Sequence, residues 1–259
     1  MKKSVKLLMS ISLCMVMVLG LFSINIRATE DKKVALYYAK IKEIRDHGVI
    51  KGWTTTGKIA VRDLGDSKNV VVHYTNNGGK TWSDISASYL KTSSDGYDIY
   101  IFETPMYPWN GYYYYKYNSS FAIKVENDGQ IFWDNNNGEN YSLNISSTNC
   151  SQDYKLNKSK LLLKSNYKNE SGFHGTVIIN DFNSNKILTV RYTTDNWKTY
   201  KDVKAYKNSC YQPYTDMELW TFDIIENAET YEFAIKCEIN GQTYWDNNFG
   251  DNYIYNKPF

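Results

Sequence analysis

Most of this chain is written twice, and that duplication limits the possible folds more than any other feature. Residues 132–141 read FWDNNNGENY and residues 244–253 read YWDNNFGDNY. Upstream, Phe121-Ala-Ile-Lys124 recurs as Phe233-Ala-Ile-Lys236, and Lys68-Asn-Val-Val-Val-His-Tyr-Thr75 recurs as Lys186-Ile-Leu-Thr-Val-Arg-Tyr-Thr193. The offset drifts from 118 to 112 residues between these pairs, as small insertions would cause, and Trp82 is read as the counterpart of Trp197 at an offset of 115. Solenoid repeats run to roughly 20–45 residues, so a period this long is a domain duplication. Two modules are expected, at residues 33–145 and 155–256, with the Ser- and Asn-rich stretch 142–157 as their boundary.

Within each copy the local signals are those of strands. β-Branched runs follow polar turns at Gly57–Arg62 and Gly175–Asn180. They are followed by Val70–Tyr74 and Leu188–Tyr192, Tyr97–Phe102 and Leu219–Ile224, and Phe121–Val125 and Phe233–Cys237, with a last strand starting near Gln130 or Gln242. Asn127-Asp-Gly129 and Asn240-Gly241 precede that last strand and carry the dipeptide chemistry of tight hairpin turns. Outside the N-terminus no long helical period appears. The fold class is therefore all-β, an antiparallel sandwich in each copy.

The first 28 residues have a different character. Lys2, Lys3 and Lys6 precede an apolar stretch from Leu7 to Ile24, and a short polar region ends in Ala28. This is the layout of a secretory signal peptide, residues 1–28, which predicts an exported, secreted or cell-surface protein. The run is also about long enough to span a bilayer, which leaves an uncleaved anchor open. The remaining Cys150, Cys210 and Cys237 form no even framework and no CxxC. Cys237 continues the alternation Phe233, Ile235 and reads as a buried thiol; Cys150 and Cys210 could pair.

Side chains alternate between faces along a strand. Phe132 and Tyr244 suit the inward set, so Trp133 and Trp245, one residue later, point outward with amides just beyond them. The competing explanation is that these rings cover a sandwich end while the Asn residues form Asx turns, Asp134 and Asp246 beginning them. Trp82 and Trp197 lie in polar loops after a strand; Trp220 belongs to a strand and reads as core. Indole faces suit the apolar C–H face of a sugar ring, and amides, donor and acceptor together, suit its hydroxyl rim. Net charge is only +2, from 30 basic and 28 acidic residues mixed along the chain, which argues against nucleic acid as a partner.

The series V-R-Y-T-x-D-N-W, F-A-I-K and Y-W-D-N-N-x-G-x-N-Y resembles the family 21 carbohydrate-binding module. That module occurs in starch-binding domains of amylolytic enzymes and in glycogen-targeting subunits of protein phosphatase 1. The resemblance covers about residues 35–145 and 155–255 and implies an immunoglobulin-like sandwich that binds starch, glycogen or malto-oligosaccharides. Carried over by position, its principal site falls on Trp197, Trp245, Asn247 and Asn252, and in the first copy on Trp82, Trp133, Asn135 and Asn140, with Lys124 and Lys236 as weaker members. Where starch-binding members place a further aromatic, this chain has Ala122 and Ala234. A second site is open: Tyr89 and Tyr206 are candidates, but Leu64 and Phe182 supply only one ring between them. The phosphatase-targeting branch is disfavoured, because the basic-Val-x-Phe docking segment is missing.

No catalytic or metal-binding residue and no cofactor is expected. His47, His73 and His174 do not occupy equivalent places, and no nucleophile motif or ligand spacing appears. A glycosidase needs two carboxylates across a cleft. The expected function is non-catalytic α-glucan binding, with an extracellular amylolytic enzyme or the cell surface as a further partner. The alternatives are an adhesion or scaffolding protein that uses the Tyr-rich insertion Met106–Tyr117, and a weak glycoside hydrolase hidden in the same fold.

Overall fold

A computed structural model describes residues 32–256, apart from 66, 112–115, 147–150, 181–184 and 209–215. The segment 1–28 expected to be a signal peptide, Cys150, Cys210, Phe182 and part of the Tyr-rich insertion lie outside the described residues.

The first copy comprises β1 (Val34–Asp46), β2 (Val49–Val61), β3 (Asn69–Thr75), β4 (Ser83–Ser86), β5 (Ser88–Thr92), β6 (Asp98–Glu103), β7 (Tyr107–Pro108), β8 (Lys116–Asn127), β9 (Gln130–Asp134) and β10 (Tyr141–Ser146). A short strand, β11 (Tyr154–Leu156), follows. The second copy comprises β12 (Leu161–Asn169), β13 (Gly172–Asn180), β14 (Lys186–Thr193), β15 (Lys201–Lys204), β16 (Tyr206–Lys207), β17 (Met217–Ile224), β18 (Thr230–Ile239), β19 (Gln242–Asp246) and β20 (Tyr253–Asn256).

Each copy is an antiparallel β-sandwich. In the first, a sheet ordered β11-β1-β2-β6-β5 faces a sheet ordered β10-β8-β3-β4, with β9 also on β8. In the second, β12-β13-β17-β16 faces β15-β14-β18-β19, with β20 also on β18. The alternation seen in the sequence fills both cores. Val70, Val72, Phe121, Ile123 and Val125 meet Ile59, Val61 and Phe102 in the first, and Leu188, Val190, Phe233, Ile235 and Cys237 meet Val177, Ile179 and Phe222 in the second. Each such side chain, fully buried, contributes roughly 1.5–3 kcal/mol. Burial raises the Cys237 thiol to about 11, so it packs as a small apolar group.

Phe132 and Tyr244 pack against their cores from the hairpin, as the alternation requires. Trp220 is only half-buried, and its Nε1 donates to Glu218 at 2.9 Å, because the indole N–H needs a partner that the core lacks. Trp53 is core, 1% exposed, and stacks on Tyr117 at 6.2 Å.

The stretch between the copies is not a free linker. Tyr154–Leu156 extends the first module's sheet, with Tyr38 opposite Leu156 and Lys40 opposite Tyr154. Tyr154 and Leu156 also pack with Leu162, Ile178, Met217 and Leu219 of the second module. Both sandwiches therefore lie in one compact unit that begins at Lys33.

Candidate functional site

The register of one long strand builds the site. β8 pairs with β9 from Ile123 to Asn127 and with β10 from Lys116 to Phe121. Ala122 falls between the two partners, and there the chain leaves the sheet edge as the loop Asn135–Asn140. In the second copy Ile235 pairs with Asp246 and Phe233 with Tyr253, so Ala234 holds the same gap. The repeated W-D-N-N-x-G-x-N-Y motif is thus a jog between two short strands that share one edge.

The motif's residues divide by face. Asp134, 1% exposed, accepts from Leu36 N and the Tyr141 hydroxyl, both at 2.7 Å. Asp246 accepts from Leu163 N and the Tyr253 hydroxyl, both at 2.8 Å. Burial pushes the Asp246 carboxyl above the usual carboxylate range, against the pull of those donors. These carboxylates tie the loop to the opposite sheet, and Asp246 also accepts from the backbone N–H of Asn248, two residues on, as an Asx turn requires. Asn135 and Asn247 close the next turn, each side chain accepting from a glycine N–H, Gly138 at 3.0 Å and Gly250 at 3.1 Å. Their neighbours Asn140 and Asn252 sit at φ of 59° and 57°, left-handed positions that Asn tolerates. The Asn252 amide also donates to Glu232 at 2.9 Å.

Trp133 and Trp245 stand on the other face, 50% and 41% exposed. Lys124 and Lys236 lie directly across from them, and their ammonium groups pair with Glu126 and Glu238. On the same outer face His73 pairs with Ala122 and Arg191 with Ala234. Ala122 and Ala234, 4% and 5% exposed, form a small-residue floor between the loop amides and the aromatic loop that follows β3 or β14.

In that loop the equivalence read from sequence shifts by three residues. Asn77 Oδ1 accepts from Thr81 N at 3.1 Å, and Asp195 Oδ1 accepts from Thr199 N at 2.9 Å. Gly79 N and Trp197 N both donate to the preceding threonine, Thr75 or Thr193, at 3.1 Å. The two loops therefore superpose without a gap. Trp197 corresponds to Gly79, and Trp82 corresponds to Tyr200.

Trp197 is half-buried at φ 63°, and its Nε1 is enclosed with no partner among the described residues. Gly79 holds the same left-handed position at φ 83°, and a Cβ built there would lie 3.9 Å from Trp82 Nε1. The first copy thus has one loop indole, leaning across the place that Trp197 occupies in the second.

Polar and charged residues lie beneath these rings, at positions the motif itself does not mark. Trp82 stacks on His73, centroids 4.8 Å apart and planes 8° off parallel, and His73 Nδ1 lies 2.5 Å from Asp84. In the second copy the Arg191 guanidinium lies 4.2 Å from the Tyr200 ring and 6.0 Å from the Trp245 ring, and Asp202 holds it by two hydrogen bonds of 2.8 and 2.9 Å. The sequence signal was the cross-strand pairing itself, His73 with Asp84 and Arg191 with Asp202.

Tyr89 and Tyr206 are 57% and 54% exposed but do not occupy matching positions, since Tyr89 pairs with Tyr100 and Tyr206 with Thr221. Among the described residues no three His, Cys, Asp or Glu side chains converge as metal ligands would.

Each copy is thus a sandwich with an exposed indole, a small-residue floor and an amide loop on one face. The chain belongs to the carbohydrate/starch-binding module family 21, whose model matches residues 28–144 and 155–256. Protein phosphatase 1 regulatory subunit 3B of Homo sapiens is 40% identical over 85 residues, covering 30% of this chain and 30% of that protein. Glycogen-binding subunit 76A of Drosophila melanogaster is 33% identical over 87 residues, 31% of this chain and 12% of its own length. The chain thus spans less than a third of the curated relatives it matches here. Among solved structures, the starch-binding domain of Rhizopus oryzae glucoamylase, in complex with β-cyclodextrin and maltoheptaose, is 27% identical with a TM-score of 0.30, covering 37% of this chain and 91% of that one.

Proposed function

We propose that this protein is a secreted, non-catalytic binder of α-glucan, meaning starch, glycogen or malto-oligosaccharides, with one site on each sandwich. The observation that carries the reading is the pair Trp133 and Trp245, large apolar rings left half-bare beside an amide loop on the same face of each module. Folding alone does not call for that exposure, since the same rings turned inward would add to the core. Membership of the starch-binding family supports the ligand class. Glucose rings would lie against the indoles, with Asn135 and Asn140 or Asn247 and Asn252 on their hydroxyl rims. The carboxylates of Asp134 and Asp246 face the opposite sheet, which argues against their use in hydrolysis.

The test is retention on insoluble starch, cellulose and chitin, followed by a reducing-sugar assay. Starch retention without sugar release supports the reading. Retention only on cellulose or chitin favours the adhesion alternative, and sugar release from a purified sample favours the hydrolase.

A second reading for the partner comes from the relatives, several of which are regulatory subunits of protein phosphatase 1. A phosphatase partner would replace the extracellular amylolytic enzyme or cell surface. Co-precipitation with the phosphatase catalytic subunit, before and after glycogen is added, separates the two.

A further inference from the structure

The two binding loops are close in sequence but differ in their surroundings. At the loop tip the first copy has Asn137 and the second has Phe249, both left-handed, at φ 61° and 60°. Asn adopts that conformation readily, whereas a bulky apolar residue there is an outlier that the surroundings must hold in place. Phe249 is held by the first module. Its ring lies 4.6 Å from that of Tyr37, with Lys58 Nζ 4.3 Å above it, and it packs with Ala60, Tyr97 and Ile99. Lys91 pairs with Asp251 at 2.6 Å alongside.

This docking leaves a cleft of about 460 Å3 between the modules. Trp245 and Asn247 line one wall, and the turn Ser93–Asp95 of the first module lines another. Its size falls within the roughly 300–1,000 Å3 of small-ligand pockets. The cleft is continuous with the second module's sugar-binding face, because Trp245 and Asn247 belong to both. Its far wall is chemically suited to the same ligand: Ser94 carries an exposed hydroxyl, and the Asp95 carboxylate, which takes the Ser93 hydroxyl on Oδ1 at 2.5 Å, has further acceptor capacity for a sugar hydroxyl.

We propose that this cleft is a composite subsite. Resting on the α-glucan reading above, it takes further glucose units of the chain stacked on Trp245, with the first module supplying the second wall. The second module then binds longer chains better than short ones, and the first module's site has no such extension. Phe249 acts as the positioning residue that sets the wall-to-wall distance.

The experiment uses the full chain carrying Trp82→Ala and Trp133→Ala, which silences the first site, and titration calorimetry with maltotriose and maltoheptaose. In this background maltoheptaose is expected to bind about tenfold more tightly than maltotriose. Ser94→Trp, an exposed turn position that would fill the cleft, is expected to collapse that preference. Phe249→Asn, the first copy's residue, is expected to do the same by loosening the docked loop. Circular dichroism checks that each variant is folded. If both variants keep the tenfold preference while Trp245→Ala abolishes binding, the composite subsite is overturned and the glucan reading stands. If the wild-type chain binds neither sugar, the glucan reading fails and takes the subsite with it.

Discussion

Trp82 lies flat on His73, with the two ring planes 8° apart, and the same geometric place in the second copy is taken by Tyr200 over Arg191. The underlying residue in each case is anchored by a carboxylate on the next strand, Asp84 or Asp202. A ring fixed from below by a charged or polar plane loses little freedom when a ligand arrives, which favours recognition by a shallow site. The two copies therefore present aromatic platforms made from different residues at one position.

The loops differ in redundancy, and this gives the first prediction. The first module has one loop aromatic, Trp82, whereas the second has both Trp197 and Tyr200. Trp82→Ala should weaken malto-oligosaccharide binding at the first site by about tenfold, a loss of about 1.4 kcal/mol. Trp197→Ala and Tyr200→Ala should each cost the second site less. Calorimetry on chains with the other site silenced checks this, and equal losses from all three would speak against it.

The buried carboxylates Asp134 and Asp246 hold the fold. Asp134→Ala should leave Leu36 N–H and the Tyr141 hydroxyl without an acceptor in the interior. The expected cost is roughly 1–3 kcal/mol per unsatisfied group. Asp246→Ala should behave alike through Leu163 and Tyr253. Urea unfolding followed by Trp fluorescence measures the loss; a change within error in both variants would contradict the assignment.

Acid should loosen one binding loop before the other. Hydrogen bonds from the Thr199 backbone and side chain and from Thr193 hold the Asp195 carboxyl down at about 2. A carboxylate lowered in this way stabilises the folded loop fully above its unfolded value near 3.8, and the contribution is lost as pH falls through about 2. The first copy has the neutral Asn77 in that place, so its loop has no such titration. Amide NMR signals of Thr199 should shift between pH 4 and pH 2 while those of Thr81 stay still. Asp195→Asn should remove the shift, and a persistent shift in that variant would contradict the assignment.

Much of this architecture was legible in the chain. The strands carrying Val70–Val72, Phe121–Val125 and their counterparts follow from period-two alternation, and Asn127–Gly129 and Asn240–Gly241 mark their turns. β1 and β12 carry no clean strand signal, because Lys40, Lys42 and Glu43, and Lys164 and Lys168, interrupt their apolar runs with long charged side chains. The outward turn of Trp133 and Trp245 followed from the neighbouring core residues.

In the loop after β3 and β14 the turn is closed by the Thr-x-Asx spacing, and the shared Trp does not mark the equivalent position. Thr75-Asn76-Asn77 and Thr193-Thr194-Asp195 carried the correct offset. The inter-module contact of Phe249 rests on tertiary packing and had no local signal beyond an apolar residue in a polar loop.

Depletion from solution by starch granules shows whether the indoles of Trp133 and Trp245 are the platforms on which α-glucan stacks. Joining two weak sites on one chain can raise avidity by roughly 10²–10⁴. Trp245→Ala should therefore lower granule affinity sharply, and Trp133→Ala with Trp245→Ala should bring it close to that of an unrelated protein. Folded double-mutant protein that still binds granules like the wild type would contradict the account.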